Sequence, residues 1–316
     1  MRRLFAAEVR RALSRRVVKV AILLGLSSIA VLGVTVFLTV DADTPEENAR
    51  EFLGDYREQL LEGCQFETDP SGCIERVPTV EQLSEGDGAF LSTDTDTRPH
   101  LVEFWPDDEA RADGNDESLL MASSIMLLMV AVLLGASLVG GDYASRNLET
   151  LLTWEPRRLR FVAMRLAAVA VVVFFLYVAF QVLFSLVLLP SVFVKGTTEG
   201  ADIAWFRHLV LMVGRTGLLV AGFGVLGASL AFLARSTAGA MGIVLAYLVG
   251  VEAILRSFQP EATNWYVISN LVPLLDPSVE LDFFTRTAAG SGFLLFMYLV
   301  VVMVAAAGVF RARDLG

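Results

Sequence analysis

Lysine, histidine and cysteine are scarce in this chain of 316 residues, and the scarcity excludes several kinds of site. Neither of the two lysines, Lys19 and Lys195, ends the G-x-x-x-x-G-K-[ST] loop that holds nucleotide phosphates. The two histidines, His100 and His208, cannot form the H-E-x-x-H pair of a zinc site. We therefore predict that the chain holds no nucleotide, metal or other cofactor of its own and is not an enzyme.

Apolar residues make up 55% of the chain and are concentrated in six stretches near twenty residues long. A helix of that length crosses the hydrocarbon core of a bilayer, which is about 30 Å thick. Because lipid cannot satisfy backbone N–H and C=O groups, each stretch is predicted to be helical. The predicted fold is an all-α integral membrane protein with six transmembrane helices, at 17–40, 118–140, 162–189, 206–233, 238–257 and 292–310.

Charge separates sharply along the chain and predicts its orientation. Residues 41–117 hold 23 acidic side chains against five arginines, whereas the rest of the chain holds 12 acidic against 20 basic ones. The basic residues cluster before the first span, between the second and third, between the fourth and fifth, and after the last. Short cytoplasmic loops carry such an excess. Both termini are therefore predicted to be cytoplasmic together with 141–161 and the tail 311–316, while 41–117 lies outside and 258–291 forms an extracellular or re-entrant segment.

The segment 1–16 is predicted to be an amphipathic helix on the cytoplasmic membrane surface. Phe5, Val9 and Leu13 recur every four residues, while several arginines fall on other sides of the helix. The alternative is that the basic residues serve only as an anchor that sets the orientation of the first span.

The acidic region 41–117 is predicted to form an extracellular domain inserted between the first two spans. It contains the only cysteines, Cys64 and Cys73, and the turn-forming sequence 69–72 lies between them. Such a turn favours the approach of the two thiols, and an oxidising exterior favours a disulfide between them. The region is either a platform for a substrate or partner, or a surface that its charge keeps soluble.

Two Gly-Ala-Ser-Leu stretches, at 135–138 and 227–230, resemble the serine motif of rhomboid-type intramembrane proteases. The last predicted span contains no histidine that would activate either serine, so each hydroxyl would be a weak nucleophile. Small residues of this kind also allow transmembrane helices to approach closely. We therefore predict that both stretches are helix contacts.

The connection between the second and third spans is predicted to contain a short amphipathic helix. Leu148, Leu151 and Leu152 follow helical spacing, and Pro156 ends the helix. A helix parallel to the membrane can press on a soluble partner and pass force to the spans on either side. The alternative is an interfacial loop that only returns the chain.

This connection resembles the matching segment of the type-2 ABC exporter permeases, the membrane subunits of ATP-binding-cassette transporters. Their pattern is an acidic residue, then Gly-Thr-Leu-Glu, a Leu pair, Pro, a basic residue and a later Lys. The residues that match in kind are Asp142, Leu148, Glu149, Leu151, Leu152, Pro156, Arg157 and Arg165, with Arg158 beside them. The chain departs from the pattern at Arg146-Asn147, which replaces Gly-Thr, and in the inserted region 41–117, where many members have a short loop.

The resemblance implies a division of labour between subunits. This chain would form the translocation pathway, while separate ABC ATPase subunits bind ATP and Mg²⁺ and contact the segment from Asp142 to Arg158. A second permease copy, or a related permease, and the lipid bilayer would be its other partners, with no nucleic acid among them. Closure of the ATPase would move the segment and switch the pathway from inward-facing to outward-facing.

The polar side chains of Gln181, Arg215 and Glu252 fall inside predicted spans and are candidates for a functional role. Arg215 and Glu252 are both predicted to lie in the outer half of the bilayer, where a charge needs a partner or a water-filled cavity. We expect that they can pair, either as a gate or substrate contact or as an ion pair that fixes two helices. Arg215 can also snorkel toward the membrane surface.

The leading hypothesis is the permease subunit of an ATP-driven exporter in a bacterial cytoplasmic membrane. Arginine outnumbers lysine by 23 to 2, and alanine and valine are abundant, as in proteins from GC-rich genomes. The alternative is a non-transporting receptor or scaffold that binds a partner through the acidic outer region.

Overall fold

The described part of the chain is built from helices. A computed structural model describes residues 9, 10, 12, 14–39, 50, 53, 119–145, 157–195, 198, 201–275 and 284–312. None of these residues lies in a strand, so the predicted all-α class is confirmed for them. Most of 1–16 and nearly all of 41–117, including Cys64 and Cys73, lie outside the described residues. The amphipathic helix, the outer domain and the disulfide therefore stay predictions.

Six of the described helices are long and apolar enough to cross a membrane, which indicates a multi-pass membrane protein, as the sequence predicts. A shorter helix precedes the last of them. The helices are α1 Arg16–Thr39, α2 Leu119–Ala144, α3 Arg158–Lys195, α4 Ile203–Ala234, α5 Thr237–Phe258, α6 Val267–Leu275 and α7 Ala288–Ala312. The backbone of α5 is π-helical over Ala246–Glu252. At 38 residues, α3 is about 57 Å long and exceeds the thickness of the hydrocarbon core.

Polar caps fix the start of α4 and the turn into α5. The Asp202 side chain accepts a hydrogen bond from the Trp205 N–H at 2.7 Å, and Ser236 accepts one from the Gly239 N–H at 3.0 Å. Each cap satisfies a backbone donor that lacks a helical partner. Arg235 joins α4 to α5 with a left-handed backbone (φ 57°), which makes the turn tight.

Glycines bring α2 and α4 into close contact. A Cβ atom at Gly135 would overlap the carbonyl oxygen of Gly224, and one at Gly227 would overlap the carbonyl oxygen of Val132. The two Gly-Ala-Ser-Leu stretches thus lie at the contact between these helices, and the prediction that they are helix contacts is confirmed.

The chain divides into two units by internal contacts. One unit comprises Met1–Ile29, Phe104–Phe184 and Asp202–Gly316, and its described core is formed mainly by apolar residues of α2, α3 and α4, with further residues from α1, α5, α6 and α7. The other comprises Ala30–Glu103 and Ser185–Ala201. Within the second unit, the Lys195 ammonium donates to the Phe37 carbonyl oxygen at 2.8 Å and lies 5.1 Å from the centre of the Phe37 ring.

Candidate functional site

A buried carboxylate, Asp142, binds two arginines at the C-terminal end of α2. The Asp142 side chain is 2% exposed. One of its oxygens pairs with the Arg165 guanidinium of α3, and the other pairs with the Arg15 guanidinium just before α1. The last turns of α2 hold the same arginines, because Arg165 donates to the Leu138 carbonyl oxygen at 2.6 Å and Arg15 donates to the Ser137 carbonyl oxygen at 3.1 Å. We call Asp142, Arg15 and Arg165 the arginine cluster.

The arginine cluster connects three separate segments of the chain through one carboxylate. The family resemblance singled out Asp142 and Arg165, and the structure brings them together. Sequence reasoning missed Arg15, since it is one of seven basic residues before or at the start of the first span and nothing local distinguishes it. The burial of Ala12 and the packing of Val9 against the core show that this stretch lies against the helices.

The structure describes the two ends of the segment between α2 and α3. Leu148, Glu149, Leu151, Leu152 and Pro156, the predicted coupling residues, lie outside the described residues. Arg157 is exposed, and the Arg158 guanidinium donates to the Arg311 carbonyl oxygen at 3.4 Å. At the same end of the helices, the Phe310 ring stacks on the Phe161 ring, with 6.2 Å between the ring centres. It also meets the Phe232 ring edge-on, with 5.3 Å between the ring centres. These contacts tie the start of α3 to α4 and α7.

A second buried carboxylate, Glu252, organises the connection between α5 and α7. Glu252 pairs with Arg256 one helical turn later, at 3.1 Å, and accepts hydrogen bonds from the Val267 and Ile268 N–H groups at 3.2 and 2.8 Å. The carboxylate thus caps the N-terminus of α6, where free N–H groups favour an anion. The expected pairing with Arg215 is not formed, because the oxygens of Glu252 are occupied by groups closer to it in the chain.

The chain from α5 to α7 is held by further polar contacts. The Arg256 guanidinium donates to the Ser269 hydroxyl at 3.0 Å. The Asn270 amide donates to the Tyr266 carbonyl oxygen at 2.7 Å, and the Tyr298 hydroxyl of α7 donates to the Trp265 carbonyl oxygen at 3.1 Å. The 3-10 helix Pro260–Trp265 and α6 are therefore fastened to both neighbouring helices.

Gln181 joins two helices. It is 2% exposed, and its amide nitrogen lies 3.2 Å from the Ser123 hydroxyl and 3.4 Å from the Ser124 hydroxyl of α2. The Ser124 hydroxyl lies 3.1 Å from the Tyr177 hydroxyl. This network stabilises the contact of α2 with α3, because buried polar groups need partners in an apolar interior.

An apolar groove of about 630 Å³ lies between α4, α6 and α7. Arg215 is the one charged side chain among its described lining residues. The lining residues from α4 are Val210, Leu211, Gly214, Arg215, Leu218, Leu219, Gly222, Phe223 and Leu226, and those from α6 and α7 are Val267, Leu274, Gly292, Leu295, Phe296, Tyr298 and Leu299. A volume of this size is typical of sites for small molecules.

Among the residues that the structure describes, no group of three or more His, Cys, Asp or Glu side chains is placed to hold a metal ion. In comparisons with known proteins, no family model, no curated protein and no solved structure matched the chain.

Proposed function

We propose that this chain is the permease subunit of an ATP-driven exporter and works with a separate ATPase subunit. The observation that supports this most directly is the arginine cluster. Asp142 lies at the start of the predicted coupling segment and Arg165 follows the segment, and the two are joined by a buried ion pair. A segment held in this way can pass a displacement to the spans on both sides.

In this proposal, movement of the partner ATPase reaches the chain where the ATPase presses on the coupling segment near Glu149 and Arg157. A push on the segment moves the end of α2 and the start of α3 together, since Asp142 and Arg165 act as one unit. Arg15 passes the same movement to the N-terminal stretch that leads into α1. The ATPase supplies ATP and Mg²⁺, and this chain supplies the moving helices.

The groove and α6 are the parts of the proposed pathway that can move when α5 moves. α6 forms one wall of the groove and is fastened through Glu252 to α5. A tilt of α5 would therefore shift α6 and change the width of the groove. In the proposed orientation, with both termini in the cytoplasm of a bacterial cell, α6 lies toward the outer side of the membrane.

The test is a pull-down of the tagged chain in mild detergent, followed by an ATPase assay of the eluate. We expect a P-loop protein to co-purify and its yield to fall in the Glu149→Ala and Arg157→Ala variants. Arg207→Ala is the matched control, since Arg207 is exposed near the opposite end of the helices. Size-exclusion chromatography checks that every variant is folded. A folded chain with no ATPase partner would refute the proposal and favour a receptor or scaffold.

A further inference from the structure

The groove is elongated along α4. Its lining from α4 runs from Val210 to Leu226, a distance of about 24 Å at 1.5 Å per residue. Arg215 divides this length unevenly. From Arg215 to Leu226 the groove extends about 16 Å, and that part is lined on α4 by leucine, glycine and phenylalanine.

Arg215 needs an anion that the described residues do not supply. It makes no ion pair with any described carboxylate, and the nearest candidate by sequence reasoning, Glu252, is engaged by Arg256 and α6. Arg215 lies about 18 Å along α4 from Ile203, well inside a span. A guanidinium at such a position is costly unless it has a partner, and it matches a phosphate with two parallel hydrogen bonds.

Glycines keep the groove open. A Cβ atom at Gly214 would meet nothing within 4 Å, and one at Gly222 would lie 3.6 Å from the Leu299 side chain in ordinary contact. In contrast to Gly135 and Gly227, these glycines are not required for close packing of helix backbones. Larger side chains at these two positions would instead occupy the groove.

We propose that this groove is a binding site for a phospholipid with an anionic headgroup. The phosphate pairs with Arg215, and one acyl chain lies along α4 toward Leu226. The available length of about 16 Å matches one leaflet, which is half of the roughly 30 Å hydrocarbon core. Charge complementarity selects an anionic lipid over a neutral one, and the apolar lining selects a lipid over a soluble anion. The site lies in the groove that the proposed function assigns to the pathway, but its geometry does not depend on an ATPase partner.

The test is native mass spectrometry of the full chain in detergent, titrated with phosphatidylglycerol or with diacylglycerol of the same acyl chains, which lacks the phosphate. We expect phosphatidylglycerol to bind about tenfold more tightly or better, as the loss of one charge-assisted contact would predict. Arg215→Gln should remove this preference, and Arg215→Lys should keep part of it. Gly214→Leu and Gly222→Leu should weaken binding of phosphatidylglycerol by filling the groove.

The matched control is Gly308→Leu on α7, because a Cβ atom there also meets nothing within 4 Å and Gly308 does not line the groove.

Equal binding of both lipids, or unchanged binding in the Gly214→Leu and Gly222→Leu variants, would overturn the inference. A dimer that excludes lipid and dissociates on Arg215→Gln would assign the groove to a second copy and would also overturn it. If Arg215→Gln fails to fold, the binding of phosphatidylglycerol by the Gly214→Leu and Gly222→Leu variants decides whether the inference holds. Lipid binding by a chain that captures no ATPase would refute the exporter proposal and leave this inference standing.

Discussion

Replacing Asp142 by asparagine tests the arginine cluster directly. The substitution keeps the shape of the side chain and removes its charge, so two guanidiniums lose their common partner. Arg165 is the more deeply buried of the two, with 5% of its side chain exposed, while Arg15 is 19% exposed. Arg165 would keep its bond to the Leu138 carbonyl oxygen but would lose the negative charge of the carboxylate with which it pairs.

Substitutions at the three residues of the arginine cluster should lower the free energy of unfolding by different amounts. Breaking a buried ion pair from one side costs about 3–5 kcal/mol, and we expect this loss for Asp142→Asn. Arg15→Gln should cost about 1 kcal/mol or less, since it leaves Asp142 paired with Arg165 and removes a contact that solvent partly screens. Arg165→Gln should lower the free energy of unfolding by an amount between these values, because Asp142 would keep its partly exposed partner Arg15 and lose the more deeply buried one.

The assay is unfolding of the purified chain in mixed micelles of increasing denaturing detergent, followed by circular dichroism. The free energy of unfolding should fall in the order Arg15→Gln, Arg165→Gln, Asp142→Asn, with the last variant the least stable. In the double variant Asp142→Asn with Arg165→Gln, the loss should be smaller than the sum of the single losses, since the two groups interact. A loss for Asp142→Asn no greater than that for Arg15→Gln would refute the reasoning.

Two further predictions follow from the same structure and a third follows from the sequence. Gly135→Leu should block the contact of α2 with α4 and lower the melting temperature of the solubilised chain, while Gly308→Leu should not, because only the first overlaps a backbone carbonyl. Glu252→Leu should destabilise the chain by about 2–6 kcal/mol in detergent unfolding, since two N–H groups of α6 lose their acceptor, and Glu252→Gln should cost less. Cys64 and Cys73 should resist alkylation unless the chain is first reduced, as mass spectrometry of the peptides would show; alkylation without reduction would contradict the predicted disulfide.

The proposed coupling and the proposed lipid site use different parts of the molecule. The arginine cluster lies where α2 ends and α3 begins, and Arg215 lies within α4 among apolar groups. Variants at one place should therefore leave the other measurement unchanged. This separation allows the ATPase pull-down and the lipid titration to be judged independently.

The six membrane-length helices could be predicted from sequence because they depend on local properties. An apolar stretch of sufficient length must satisfy its own backbone groups in lipid, and only a helix does so within one segment. The same holds for the small residues at 135–138 and 227–230. Their lack of bulk marks a close helix contact before the partner helix is known.

The partners of the charged side chains were decided by tertiary structure. Arg15 meets Asp142 across more than a hundred residues of sequence, and no local feature separates it from the other N-terminal arginines. Glu252 turns to Arg256 and the N-terminus of α6 because the chain after α5 folds back onto it, which leaves Arg215 beside an apolar groove. A charge in an apolar interior takes whichever counter-charge the packing of helices brings near, so composition predicts the need for a partner and the fold selects it.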